Sequence, residues 1–239
     1  PLHTFKDTGA PEGTKWAVRY AGDKKVLLAG SNGTDYNRII FYDCEDDSVI
    51  WEYDASSQII EPDRLNIVPV QSGKVMVVFG GISTDSDLKV IALDLFTDLP
   101  TGDEVWTTTL TGKRGKIRTI FTPISSDLYG KIIGILSESS TNKLSVYIFN
   151  PETGLAEKEI PLNIYSSDFQ YSVADIDNEG VKELIISDNN QNIYVVDLGT
   201  GNIEYQQSNA GKVWACADID GDNVKEIIVS SGGNIKVLK

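Results

Sequence analysis

The sequence is poor in the residues from which most metal and acid–base chemistry is built. It has one histidine, His3, and two cysteines, Cys44 and Cys216, in 239 residues. A Ser-His-Asp triad or a histidine zinc site needs imidazoles that this chain does not supply. Two cysteines make no disulfide framework, and both are expected to be free thiols, with Cys216 buried and Cys44 in an acidic turn. Long apolar runs are missing too; none approaches the roughly 18 residues of a membrane span. No stretch has a convincing 3.6-residue apolar period, so helices are not expected. Positive charge is scarce, with 21 Lys and Arg against 35 Asp and Glu and a net charge of −14. A field of that sign argues against nucleic acid and membrane insertion. The chain opens on Pro1, with no initiator methionine or signal-peptide pattern, which suggests a processed mature chain or an excised domain.

What is present is repetition. Asp175 to Ser187 reads D-I-D-N-E-G-V-K-E-L-I-I-S, and D-I-D-G-D-N-V-K-E-I-I-V-S follows 43 positions later, from Asp218 to Ser230. Each copy sets carboxylates at loop positions 1, 3, 5 and 9 and then enters an apolar strand. Hard cations such as Ca²⁺ take many oxygen ligands, and alternating carboxylates on a tight turn supply them. Four such groups in nine residues repel one another unless a cation or solvent relieves them. The candidate ligands are Asp175, Asp177, Glu179, the Val181 carbonyl and Glu183, then Asp218, Asp220, Asp222, the Val224 carbonyl and Glu226.

A repeat of this length ending in a strand is a propeller-blade signal. Laid over the rest of the chain it gives five units of short antiparallel strands. Second strands are expected at Val26–Ala29, Val75–Phe79, Ile132–Leu136, Leu184–Ser187 and Ile227–Ser230. Third strands are expected at Arg38–Asp43, Lys89–Asp94, Leu144–Asn150, Asn192–Asp197 and Asn234–Leu238. The reading is a single all-β domain, a five-bladed propeller with blades near 15–54, 64–110, 116–161, 169–206 and 212–239. Residues 1–7 complete the last blade and close the ring, which leaves no unpaired edge.

The acidic loops resemble the FG-GAP calcium repeat, also called integrin α-type or VCBS-type, whose pattern is Asp-x-Asp/Asn-x-Asp-Gly-x-x-Asp before a strand. Position 9 is Glu in both copies, and position 6 is Gly180 in one and Asn223 in the other. The stretches Val90–Trp106 and Ile193–Tyr205 are similar to quinoprotein-type blades of the A-L-D-x-x-T-G-x-x-x-W kind. These resemblances imply propeller architecture and one or two structural calcium ions. Blades host unrelated activities, so they imply less about function.

Several other features admit plainer readings. Lys113, Arg114 and Lys116 form the only basic cluster, a candidate partner site on a predicted loop, or else solvated charge on an acidic molecule. Trp16, Trp51, Trp106 and Trp214 are expected to pack in the core rather than stack on sugars. Asn32 begins the only glycosylation sequon. Gly80-Gly81 and Gly232-Gly233 read as hairpin turns.

The function expected is a secreted or cell-surface, non-catalytic interaction module, stabilised by Ca²⁺ in the last two blades. Its partners would be protein or glycan, with self-assembly open to it. The alternative is a polysaccharide-binding lectin or glycosidase, whose paired carboxylates would come from Glu12, Asp63 and Asp168 before inner strands.

Overall fold

The computed structural model describes residues 15–31, 37–55, 59–60, 65–82, 87–95, 102–124 and 130–239. Among these residues the secondary structure is all β, in five antiparallel sheets. The first sheet runs β1 (Lys15–Gly22), β2 (Lys25–Ser31), β3 (Asn37–Asp43) and β4 (Ser48–Asp54) as a simple meander. In the second, β5 (Ile59–Ile60) and β6 (Asn66–Pro69) both pair with β7 (Val75–Ile82), followed by β8 (Leu88–Asp94) and β9 (Glu104–Leu110). The third is β10 (Gly115–Thr122), β11 (Lys131–Glu138), β12 (Lys143–Phe149) and β13 (Ala156–Tyr165). The fourth is β14 (Gln170–Ala174), β15 (Glu183–Ser187), β16 (Ile193–Asp197) and β17 (Ile203–Gln207). The fifth has three strands, β18 (Lys212–Ala217), β19 (Glu226–Ser231) and β20 (Asn234–Leu238). Every second and third strand expected from the sequence is present. Residues 1–14, including the expected closing segment, lie outside the described residues, as do Glu12, Asn32 and Asp63.

By contact density the chain divides into two units, one of residues 1–121, 132–140 and 146–159, the other of residues 122–131, 141–145 and 160–239. In the first unit the middle strands are buried on both faces. Leu27, Ala29, Ile39 and Phe41 join Trp51, Val77, Phe79, Ile91 and Leu93 in one cluster. The alternate residues Leu28, Ile40 and Tyr42 form another on the opposite face. Side chains alternate along a strand, so two buried faces need an unbroken apolar run. Each such Leu, Ile or Phe contributes about 1.5–3 kcal/mol relative to exposure. In the second unit Ile185, Ile193, Val195, Val213, Ile227 and Val229 form the core. The outermost strand β13 shows one-sided burial, with Ile160, Leu162 and Ile164 inside and the residues between them exposed.

The third-strand Asp or Asn has a structural task. Asp43, Asn150 and Asp197 each accept backbone N–H groups of the turn that follows, such as Thr200 N to Asp197 Oδ1 at 2.7 Å. The glycine of the Thr-Gly turn has another. A Cβ on Gly102 would lie 2.7 Å from Cε3 of Trp51, the outer-strand tryptophan of the preceding sheet, and one on Gly154 would collide with Trp106. Trp106 Nε1 also donates to Pro151 O at 3.0 Å. The D-x-x-T-G-x-x-x-W spacing therefore encodes a turn whose bare glycine seats the neighbouring sheet's indole.

The expectations for Trp214, for Gly80-Gly81 and for the cysteines need correction. Trp214 is 73% exposed, because it points away from the core on β18 with its Nε1 on Ser230 Oγ at 2.8 Å. Tyr205, at the repeat position of Trp51 and Trp106, is 43% exposed. Gly80 and Gly81 lie inside β7, where a Cβ on Gly80 would meet Ile117 at 2.9 Å; they serve close packing and make no turn. Gly232 and Gly233 do form the β19–β20 turn, with φ of 59° and 80°, the two left-handed residues of a tight hairpin. Both cysteines are free and both are half-buried, so the expected contrast between them is absent. Burial pushes the Cys216 thiol up.

Candidate metal loops

The loop Asp175–Glu183 joins β14 to β15, and Asp218–Glu226 joins β18 to β19. Three of their hydrogen bonds match position by position. The position-9 carboxylate accepts the position-2 N–H, as Ile176 N to Glu183 Oε2 at 2.6 Å and Ile219 N to Glu226 Oε2 at 2.9 Å. The position-1 Asp accepts from position 6, Gly180 N to Asp175 Oδ2 at 3.2 Å and Asn223 N to Asp218 Oδ2 at 3.0 Å. The position-3 Asp accepts from position 5, Glu179 N to Asp177 Oδ1 at 3.0 Å and Asp222 N to Asp220 Oδ1 at 3.3 Å. Both loops need left-handed backbone at positions 4 and 6. Asn178 (φ 63°) and Gly180 (86°) provide it in the first, Gly221 (81°) and Asn223 (71°) in the second. The two letters have changed places and the torsions have not. Glycine takes such torsions freely, and asparagine is among the few other residues that do.

This scaffold gathers Asp175, Asp177 and Glu183 in one loop and Asp218, Asp220 and Glu226 in the other, with a ligand oxygen from each within 4.8 Å of the rest. Oxygens bound to one Ca²⁺ at 2.3–2.6 Å are at most about 5 Å apart, so both groups fit that ion. Glu179 and Asp222 stand outside these groups. Asp222 Oδ1 accepts Val224 N at 2.9 Å instead. The two glutamates are buried, at 2% and 1% exposure. Glu226 Oε1 and Asp175 Oδ1 are shielded from solvent and make no hydrogen bond. A shielded carboxylate oxygen without a donor is costly and is what a cation relieves. Burial, opposed by the Ile176 N–H and reinforced by Asp177, Asp175 and Glu204, pushes the Glu183 carboxyl up to about 7.

Lysines that sequence reasoning passed over complete the region. At position 8, Lys182 Nζ donates to Thr122 Oγ1 at 3.1 Å, and Lys225 Nζ donates to Asp175 O at 3.0 Å. Their recurrence in both copies as Val-Lys-Glu was the available signal. Lys239 Nζ bonds the carboxylate of Asp220. A cavity of about 350 Å³ lies beside the loops, with apolar walls from Ile176, Val195, Val224, Ile227 and Leu238.

The basic cluster is not a free patch. β10 begins at Gly115, so Lys116 is a strand residue. Lys113 Nζ lies 2.9 Å from Glu159 and 3.6 Å from Glu138, with the Tyr147 ring beneath it. Glu159 raises the Lys113 pKa further above its ordinary value. Arg114 remains exposed, its carbonyl accepting Ser139 N at 2.9 Å. Asp168 is exposed, and its N–H donates to Asn189 Oδ1 at 3.0 Å.

Comparison with known proteins agrees with the blade reading. Residues 6–233 match the family described as outer membrane protein assembly factor BamB, a quinoprotein-type propeller repeat. No curated protein matches the chain. Among solved structures, the computationally designed Ika8 protein aligns with a TM-score of 0.53 at 13% identity, over 92% of this chain and 57% of its own. The WD40 domain of Toxoplasma gondii coronin aligns with a TM-score of 0.57 at 9% identity, over 92% of this chain and 54% of its own. The chain thus spans just over half the length of each, and the likeness is one of β-propeller fold.

Proposed function

Because the chain belongs to the family of the outer membrane protein assembly factor BamB, we propose that it is a non-catalytic protein-interaction module of the cell envelope, stabilised by Ca²⁺ at two acidic loops. The observation that carries the metal assignment is the buried Glu226 Oε1, which has no hydrogen-bond donor inside a loop built like its fellow. Asp175, Asp177 and Glu183 hold the first ion, and Asp218, Asp220 and Glu226 the second. Glu179, Asp222 and the carbonyls of Val181 and Val224 are the further oxygens within reach in sequence. The ion's part is to cancel the mutual repulsion of carboxylates that the fold has taken out of water. Support for a non-catalytic role comes from the same residues, since the gathered carboxylates are tied to loop amides. The interaction role rests on the family, and glycan or protein partners remain within its scope. The finer architecture, five blades with the last completed by residues 1–7, belongs to this reading, and the exposed Ile235 and Val237 on β20 favour it. Loss of residues 1–7 should lower the melting temperature sharply; an unchanged melt would sink that closure.

Calcium-dependent melting tests the assignment. A ligand that binds only the native state at about 100 times its Kd adds roughly 2.7 kcal/mol per site. Loops of this kind in extracellular modules bind on the order of 10⁻⁴ to 10⁻³ M, so tens of millimolar Ca²⁺ should raise Tm relative to EDTA. Asp218→Ala should remove the second site's share of the rise. Identical melts in both buffers would overturn the calcium reading.

A further inference from the structure

The second loop carries a cation of its own. Lys239 Nζ bonds Asp220, lies 3.3 Å from Asp222 Oδ2 and lies 3.7 Å from Glu226 Oε1. The hairpin register puts it there: Leu238 on β20 pairs with Ile227 on β19, so the next residue comes opposite Glu226. In the first loop the corresponding residue opposite Glu183 is Asp197. One repeat thus pairs its buried glutamate with an acidic residue and the other sets an ammonium beside it.

Given that both loops take Ca²⁺, we infer that Lys239 is a tethered competitor. It holds the second site when calcium is low and must leave before the metal binds there. The ammonium approaches the carboxylates of Asp220 and Glu226, two of the three groups that would ligate the ion, and two cations cannot share them. The side chain of Lys239 is 61% exposed, so it is free to swing into solvent once displaced. The device makes the two sites unequal. In the first, the nearby ammonium of Lys225 bonds the Asp175 carbonyl, not a ligating carboxylate, so that site loads first; the second loads only at higher calcium. Apparent affinity falls by the fraction of molecules whose site is open. Exposed ion pairs are weak, so the penalty is about three- to tenfold rather than a block.

Calcium-titrated melting of the full chain, parent against Lys239→Met, tests this. The variant should melt below the parent in EDTA, where it has lost its counter-ion. It should also reach half of its calcium-dependent rise at about three- to tenfold lower Ca²⁺. Equal half-points in the two proteins would overturn the competition while leaving the calcium sites standing. No rise in either protein would overturn the calcium reading and the competition with it. Lys239→Gln, which keeps a polar end group without charge, gives the same contrast if the Met variant does not fold.

Discussion

The first two sheets and the last two differ in what they add to their apolar packing. Trp51 and Trp106 seat flat indoles on the bare glycines of the following turns, Gly102 and Gly154. At the other end the matching outer-strand residue, Tyr205, is exposed, and lysine contacts with the preceding repeat join the apolar cluster that the last two sheets share. Lys182 reaches Thr122, and Lys225 reaches the carbonyl of Asp175. The repeat is thus one backbone plan with two kinds of fastening. The indole–glycine contact depends on shape. The polar one depends on charge and is open to adjustment by ions.

The sharpest way to break the comparison is to remove an indole–glycine contact. Trp51→Ala should cost about 3–5 kcal/mol, read from urea unfolding, because it empties a site in a buried cluster of the first unit. Gly154→Ala comes next, at about 2–4 kcal/mol. It combines a left-handed backbone, φ 69°, with a Cβ directed into Trp106, so strain and overpacking add. Neither loss should change with calcium.

The polar fastening should answer to pH. The Glu183 carboxyl titrates near 7 in the metal-free fold against 4.5 for the ordinary group. A raised acid pKa means that ionisation is harder in the folded state. The penalty is absent below the unfolded pKa and grows as pH rises from about 4.5 to 7. The groups facing it are Asp175, Asp177 and Glu204, all acidic. Metal-free protein should therefore melt lower at pH 7.5 than at pH 5.5, and Glu183→Gln should flatten that slope. A slope unaltered in the variant would place its origin elsewhere. The smallest effect expected is that of Lys225→Met, about 1 kcal/mol for one hydrogen bond, seen as a modest fall in the melting temperature of the metal-free chain.

The strand plan was legible because middle strands buried on both faces leave unbroken apolar runs, as in Leu184–Ser187, and because the Thr-Gly turns recur at fixed spacing. The acidic loops were legible for the same reason: two copies at one repeat offset. Other features depended on register. Lys239 has no motif around it, and its meeting with Glu226 follows only from the pairing of Ile227 with Leu238. Trp214 looked like core because tryptophan usually is, yet it stands on the exposed face of β18. The basic cluster looked free because its partners, Glu138 and Glu159, are 25 and 46 residues away from Lys113 in sequence.

The exchanged asparagine and glycine bear on how such loops should be recognised in other chains. A pattern that demands glycine at the sixth position treats Asn223 as decay, although Gly221 stands two places earlier where the sister loop has Asn178. Written as torsions, the two loops share one grammar, with a left-handed residue, an ordinary one and a left-handed one, and the alphabet is free within it. The paired change Asn178→Gly with Gly180→Asn should therefore be nearly silent. Replacing either residue with a β-branched one, such as Gly180→Val, should be felt at once.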